Sequence, residues 1–121
     1  MDKTENKKTG NYGEQLACDY LIQRKYKIIA RNLNLFCGEI DILAEKDKTL
    51  VIVEVKTVRG GGYGLAQDLV RFKKKEKLRN LARALGQKYP NRSIRIDVIG
   101  VNLADAEKPK IEHIVSAVSE K

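Results

Sequence analysis

Apolar and polar positions along the chain follow two rhythms in turn. Between Tyr12 and Lys25, Ala17, Tyr20, Leu21 and Arg24 recur at helical spacing, and Leu16 and Cys18 widen the stripe. Lys27 to Asn32 reads as a short strand around Ile28, Ile29 and Ala30. Ile40, Ile42 and Ala44 then alternate with Asp41, Leu43 and Glu45, Asp47-Lys48 breaks the pattern, and Leu50 to Val55 is an almost unbroken apolar run. Two strands about a short polar turn predict a β-hairpin. Its second strand, apolar on both faces, reads as a central strand covered by helices. Gly60-Gly61-Gly62-Tyr63-Gly64 closes it in a loop. A long helix is predicted from Ala66 to Lys88, with Leu69, Phe72, Leu78, Leu81, Ala82 and Leu85 inward and Tyr89-Pro90-Asn91 as its stop. Ser93 to Val101 is a further strand, and Ile111 to Val115 adds a short edge strand. Residues 1–10 are polar and basic without periodicity and read as a tail, which leaves 11–118 as a single domain. The order predicts an α/β sandwich, a small mixed β-sheet with helices on both faces.

Composition narrows the classes. The 121 residues have room for one domain with one modest core, and 42% apolar content is that of a folded chain. No apolar stretch approaches the ~20 residues needed to span a bilayer, and the first eight residues carry no hydrophobic signal region. A soluble, cytoplasmic protein without a membrane partner is expected. Lys and Arg number 24 against 16 Asp and Glu, a net charge of +8. Such an excess suits a polyanionic partner, with solubility as its plainer use. Cys18 and Cys37 are too few to staple a secreted mini-domain, and with His113 they have no zinc-like spacing.

Charge inside the strands changes the picture most. Gly38-Glu39-Ile40-Asp41-Ile42 and Val53-Glu54-Val55-Lys56 put carboxylates and an ammonium into apolar strands. Acidic residues are poor strand formers, and buried charge is costly unless paired or bound to a metal. A hairpin turning about Asp47-Lys48 opposes Asp41 to Glu54 and Glu39 to Lys56, which gathers all four on one patch. Two like charges 4 Å apart at an effective dielectric near 20 cost about 4 kcal/mol, which Lys56 offsets in part and a divalent cation offsets further. Hard oxygen ligands favour Mg²⁺ or Mn²⁺ over zinc. A cross-strand salt bridge on a solvated face accounts for the same residues. Glu14, on the sheet-facing side of the first helix, either extends this site or closes a capping box that starts at Asn11.

In this order and spacing the residues resemble the PD-(D/E)XK, or restriction-endonuclease-like, nuclease superfamily, whose metal-binding strands form a hairpin carrying Asp…(Glu/Asp)-x-Lys. More narrowly the chain is similar to the YraN-like family of small bacterial proteins. The likeness covers Gly13-Glu14, Ala17, Tyr20-Leu21, Arg31-Asn32, Gly38 to Asp41, Val53 to Lys56, Ile96-Asp97-Val98 and His113-Ile114. It implies an αβββαβ core in which Asp41 and Glu54 bind metal and Lys56 assists catalysis. Glu14 matches the helix acid of related archaeal Holliday-junction resolvases. The family often has arginine two residues after the motif lysine, where this chain has Val58 and then Arg59.

Arg71, Lys73, Lys74, Lys75, Lys77 and Arg79 crowd the start of the second long helix and can follow a phosphate backbone or form a solvated face. In the resemblance Lys73 falls near a lysine of this helix that faces the site, and Gln67, one turn earlier, is a similar candidate. The glycine run lacks a phosphate-cradle motif and reads as a connector or a loop beside the site. Asp97, inside an apparent strand, calls for a structural partner in Arg31 or Arg95, and His113 reads as structural or exposed. The expected function is a Mg²⁺- or Mn²⁺-dependent endonuclease on branched or junction DNA. Catalytic residues are Asp41, Glu54, Lys56 and Glu14, and Arg59, Arg71, Lys73, Lys74 and Lys77 contact nucleic acid. A homodimer would place two such sites on two strands. The alternative is a non-catalytic nucleic-acid-binding module on a nuclease scaffold.

Overall fold

The computed structural model describes residues 3–59, 72–105 and 107–118. Helix α1 (Lys3–Gln23) leads into strands β1 (Lys27–Leu35), β2 (Gly38–Lys46) and β3 (Thr49–Val58). Helix α2 (Phe72–Lys88) follows, then β4 (Ile94–Asn102) and β5 (Lys110–Ile114). The strands form one mixed sheet in the order β1-β2-β3-β4-β5, parallel between β3 and β4 and antiparallel elsewhere. This is the expected small mixed sheet with a helix on each face.

Two apolar layers fix that arrangement. On one face Ala17, Cys18 and Leu21 of α1 bury against Ile42, Ala44, Val51, Val53, Ile99 and Val101. On the other, Leu78, Leu81 and Leu85 of α2 meet Ile40, Leu43, Leu50, Ile52, Ile96 and Val98. The alternation Leu50, Val51, Ile52, Val53 sends successive side chains to opposite layers, which is why β3 carries an unbroken apolar run. Cys18 is 3% exposed and serves as a small hydrophobe, as expected.

The β2–β3 turn falls at Asp47-Lys48. Both residues have positive φ, 49° and 69°, the geometry of a two-residue hairpin turn whose twist matches its strands. The register follows: Lys46 pairs with Thr49, and rungs continue to Leu43 with Ile52 and Ile42 with Val53. There the ladder ends. The predicted rungs Asp41–Glu54 and Glu39–Lys56 do not form: this end of β2 pairs with β1 alone, Glu39 with Asn34, and the Val55 N–H is taken by the Asp41 side chain.

Backbone irregularity marks the departure. Leu43 and Ile40, three residues apart, both face the α2 layer, although strict alternation would send them to opposite sides. On β1, Ala30 and Leu33 likewise both pack toward α2, and between them Asn32 takes a positive φ of 52°. The face of the hairpin thus slips by one residue at Asn32 and Asp41. Strand β1 runs three residues beyond Asn32, the predicted end of that strand, because Leu33, Asn34 and Leu35 pair with Ile40, Glu39 and Gly38.

Helix α1 also exceeds its expected span, since residues 3–10 continue it. They lack the apolar stripe that periodicity reads, although Lys and Glu are good helix formers. With the helix starting at Lys3, Asn11 is not an N-cap, and a capping role for Glu14 drops out. Gly13 is where α1 meets β3 most closely. A Cβ on it would stand 1.8 Å from Thr57 Oγ1 and 2.9 Å from Thr57 Cβ. The glycine run, Gln67, Leu69, Arg71 and the first part of the predicted second helix lie outside the described residues.

Candidate metal and nucleic-acid site

The end of the β2–β3 ladder creates a gap in the sheet, and Asp41 fills it. The Val55 N–H donates to Asp41 Oδ2 at 2.9 Å, so a side-chain oxygen stands where the next strand acceptor would. This bond anchors the carboxylate beside Glu54, which is 6% exposed. Burial first, and then the charge of Glu54, push the Asp41 pKa up to about 7. The Val55 bond pulls the other way, Glu14 adds a smaller upward push, and Lys77 a downward one.

Glu14 reaches the same field from α1. Burial raises its pKa, the Arg31 guanidinium opposes this, and Glu39 and Glu54 push it up further. Arg31 Nη2 lies 3.8 Å from Glu14 Oε1, and Arg31 Nη1 donates to Gln15 Oε1 at 2.9 Å. Asn32, with its amide nitrogen turned inward, donates to Glu39 Oε1 at 3.1 Å and to Glu14 Oε1 at 3.2 Å. The Asn32 side-chain amide therefore ties two of the carboxylates together. Sequence reasoning did not single this residue out for a role at the site. An Asn inside a strand next to a motif arginine is the one signal that pointed to it.

Asp41, Glu54 and Glu14, named from the sequence, thus share one electrostatic field, and Glu39 joins them. Among the described residues, however, no three His, Cys, Asp or Glu side chains stand close enough together to hold an ion as they are placed. A cation fits the pair Asp41 and Glu54 best. They are adjacent hard-oxygen groups whose mutual repulsion a positive charge would relieve, with Glu14 at the margin.

Lys56 lies two residues beyond Glu54 on β3, hence on the same side of the strand, and is exposed. In the parallel ladder it pairs with Gly100, not with Glu39. Lys77, on α2, is the cation that lowers the Asp41 pKa, and a Cβ on Gly38 would lie 3.8 Å from its Cε. Arg59 follows β3 directly and is exposed. Lys73 and Lys74 fall in the first turn of α2, and Arg71 lies outside the described residues.

Asp97 has a separate, structural role. It is fully buried, and Arg95 donates to both its oxygens, Nε to Oδ1 at 2.9 Å and Nη2 to Oδ2 at 2.8 Å. Its Oδ2 is also 2.8 Å from His113 Nε2, and Oδ1 accepts the Ser116 N–H at 3.0 Å. Burial alone would raise its pKa, but the bonds from His113, Arg95 and Ser116 hold it below the usual carboxylate range. His113 Nδ1 lies 3.0 Å from the Tyr20 hydroxyl, and Arg95 Nη2 donates to the Tyr26 hydroxyl at 2.7 Å. Of the two expected partners, Arg95 is the one used, and His113 is structural.

The family described as uncharacterised protein family UPF0102 matches residues 13–101, the segment from Gly13 to Val101 near the end of β4. A UPF0102 protein of Geobacter sulfurreducens is 43% identical over 114 residues, covering 93% of this chain and 89% of that protein. One from Geotalea uraniireducens is 40% identical, covering 96% and 93%. A third, from Rhodococcus jostii, is 38% identical, covering 89% and 93%. Among solved structures, Pyrococcus furiosus SfsA in complex with Ca²⁺ is similar at 15% identity and a TM-score of 0.39. That match covers 88% of this chain and 64% of the other, and is too slight to carry an argument.

Proposed function

The chain belongs to the uncharacterised protein family UPF0102, and on the strength of its carboxylate site we propose that it is a metal-dependent endonuclease hydrolysing phosphodiester bonds of branched or junction DNA. One observation carries the reading. Asp41 is half-buried, fixed by the Val55 N–H and close enough to the buried Glu54 to feel its charge, with its pKa raised to about 7. A structural ion pair has no use for two adjacent acids that repel each other, whereas a cation-binding pair does. The resemblance to PD-(D/E)XK nucleases and archaeal Holliday-junction resolvases supplies the same residues in the same roles.

Asp41 and Glu54 would hold Mg²⁺ or Mn²⁺, with Glu14 completing the acidic surround. Bound there, such an ion would neutralise charge on a phosphodiester and acidify a water molecule. Lys56, exposed beside Glu54, is positioned to stabilise negative charge on the phosphate. Arg31 and Asn32 keep Glu14 and Glu39 turned toward the site. Lys77, with Arg59, Arg71, Lys73 and Lys74, would hold the nucleic-acid backbone and make binding salt-dependent. A single domain of this size has little surface for reading bases, which favours recognition of strand shape.

The test is cleavage of junction, flap and single-stranded DNA by the purified protein with Mg²⁺ or Mn²⁺. Glu54→Gln and Lys56→Ala should abolish cutting while leaving DNA affinity within a few-fold. If the wild type cuts none of these substrates with either ion yet binds them, the protein is a non-catalytic nucleic-acid-binding module. That second reading is favoured by the lack, among the described residues, of three acidic, His or Cys side chains close enough together to hold an ion.

A further inference from the structure

The β1–β2 hairpin ends in a two-residue turn, Phe36-Cys37, closed by the Leu35–Gly38 pair. Around that turn the apolar residues are covered, and the next exposed one, Ile29 at 43%, lies at the far end of β1. Leu33, Leu35 and Cys37 pack on the α2 layer, and Ile40 is fully buried. The Cys37 thiol lies 3.7 Å from the Asn80 carbonyl, and Gly38 lies against Leu81 and Lys77. Phe36 alone turns away, 89% exposed, at a place where a polar turn residue would cost nothing.

Its surroundings say what would cover it. The tip rests on α2 beside Lys77 and Asn80, and Arg83 Nη1 bonds Asn80 Oδ1 at 2.8 Å. The tip is therefore a bare aromatic ring on a turn that rests against a helix carrying Lys77 and Arg83, a combination that suits a nucleobase together with its phosphate. Strand β2 connects the ring to the acidic site: Asp41 is five residues on from Phe36, at most roughly 17 Å of extended chain. A ring at this hairpin tip fits an unstacked base and not one paired inside a duplex, whose two faces are already covered by its neighbours.

We infer that Phe36 is a stacking platform for an unpaired base, which gives the protein its preference for DNA carrying a single-stranded segment. This rests on the nucleic-acid-binding part of the function proposed above and names the feature of the substrate that is recognised.

The chain has no tryptophan, so Phe36→Trp would carry the only one. Its emission should be quenched, saturably, by oligothymidylate and by a flap duplex, and not by a blunt duplex of equal length. Phe36→Ala should weaken binding to the single strand about tenfold while leaving blunt-duplex affinity within about twofold, and Phe36→Tyr should keep the wild-type value. Three results would overturn the inference: binding without quenching, equal quenching by blunt duplex, or unchanged affinity in Phe36→Ala. An emission change that follows protein concentration alone would also overturn it, by making the tip a self-association surface. Quenching without cleavage by the wild type would remove the nuclease reading and leave the platform standing. Cleavage without quenching would do the reverse.

Discussion

Gly13 and Thr57 touch so closely that helix α1 can approach β3 only without a side chain at position 13. A Cβ there would stand 1.8 Å from Thr57 Oγ1, far inside any real contact. The neighbouring residue on the helix is Glu14, so this contact sets how near that carboxylate comes to Asp41 and Glu54. Gly13→Ala should destabilise the protein by about 1–3 kcal/mol, the usual cost of overpacking, as read by urea unfolding. Thr57→Ala in the same chain removes the oxygen clash but leaves the 2.9 Å Cβ contact, so it should restore part of that loss.

Asp41 should make stability fall with rising pH. In the folded state it holds its proton up to about 7, whereas in the unfolded chain it releases it near 4. Between those values the native state binds the extra proton, so stability decreases as pH rises and levels off above about 7. Urea unfolding in the presence of a chelator should show this slope, and Asp41→Asn should flatten it. Adding Mn²⁺ above pH 7 should raise the stability of the wild type and not of Asp41→Asn.

Asp97 should behave in the opposite sense. Arg95, His113 and the Ser116 N–H favour its charged form, so its contribution is present above about pH 4 and lost as pH falls through its depressed pKa. Asp97→Ala leaves the Arg95 charge without its carboxylate and should cost about 3–5 kcal/mol by urea unfolding at neutral pH. Because Asp97 lies outside the carboxylate site, DNA affinity per folded molecule should be unchanged.

The sequence made legible what pairwise chemistry and periodicity encode. Asp47-Lys48 revealed the turn, and with it the register from Lys46–Thr49 to Ile42–Val53. Asp97 between Ile96 and Val98 announced a buried acid in need of a cation, and Arg95, two residues away on the same side of the strand, was already a candidate. What stayed hidden depends on where a regular pattern stops. No residue type signals that β2 would part from β3 after Ile42, since Glu39-Ile40-Asp41 alternates as well as the residues that follow. The left-handed Asn32 has a plausible extended reading, and only the three-dimensional hairpin shows that its kink matches the slip at Asp41. Lys77 was one of six neighbouring cations. Its place over Gly38, and so near Asp41, follows from how α2 sits on the hairpin.

Lys77 and Glu54 pull Asp41 in opposite directions, which gives a direct measurement on the site without any catalytic assay. Glu54→Gln removes the second-largest upward influence on Asp41, after burial itself, and should lower the Asp41 pKa from about 7. Lys77→Ala removes the cation that favours the ionised carboxylate and should raise it. Carboxyl-carbon NMR titration of Asp41 in the absence of divalent ions reads both shifts. If Lys77 also contacts phosphate, Lys77→Ala should reduce the slope of log affinity against log salt by about one. A change in the Asp41 titration with an unchanged salt slope would make Lys77 a residue that tunes the acid site and take it out of the DNA track. Opposite signs for the two substitutions are required by the geometry. The same sign for both would mean that the charges of Glu54 and Lys77 do not reach Asp41 through this packing, and the pairing of Asp41 with Glu54 as a cation site would lose its electrostatic basis.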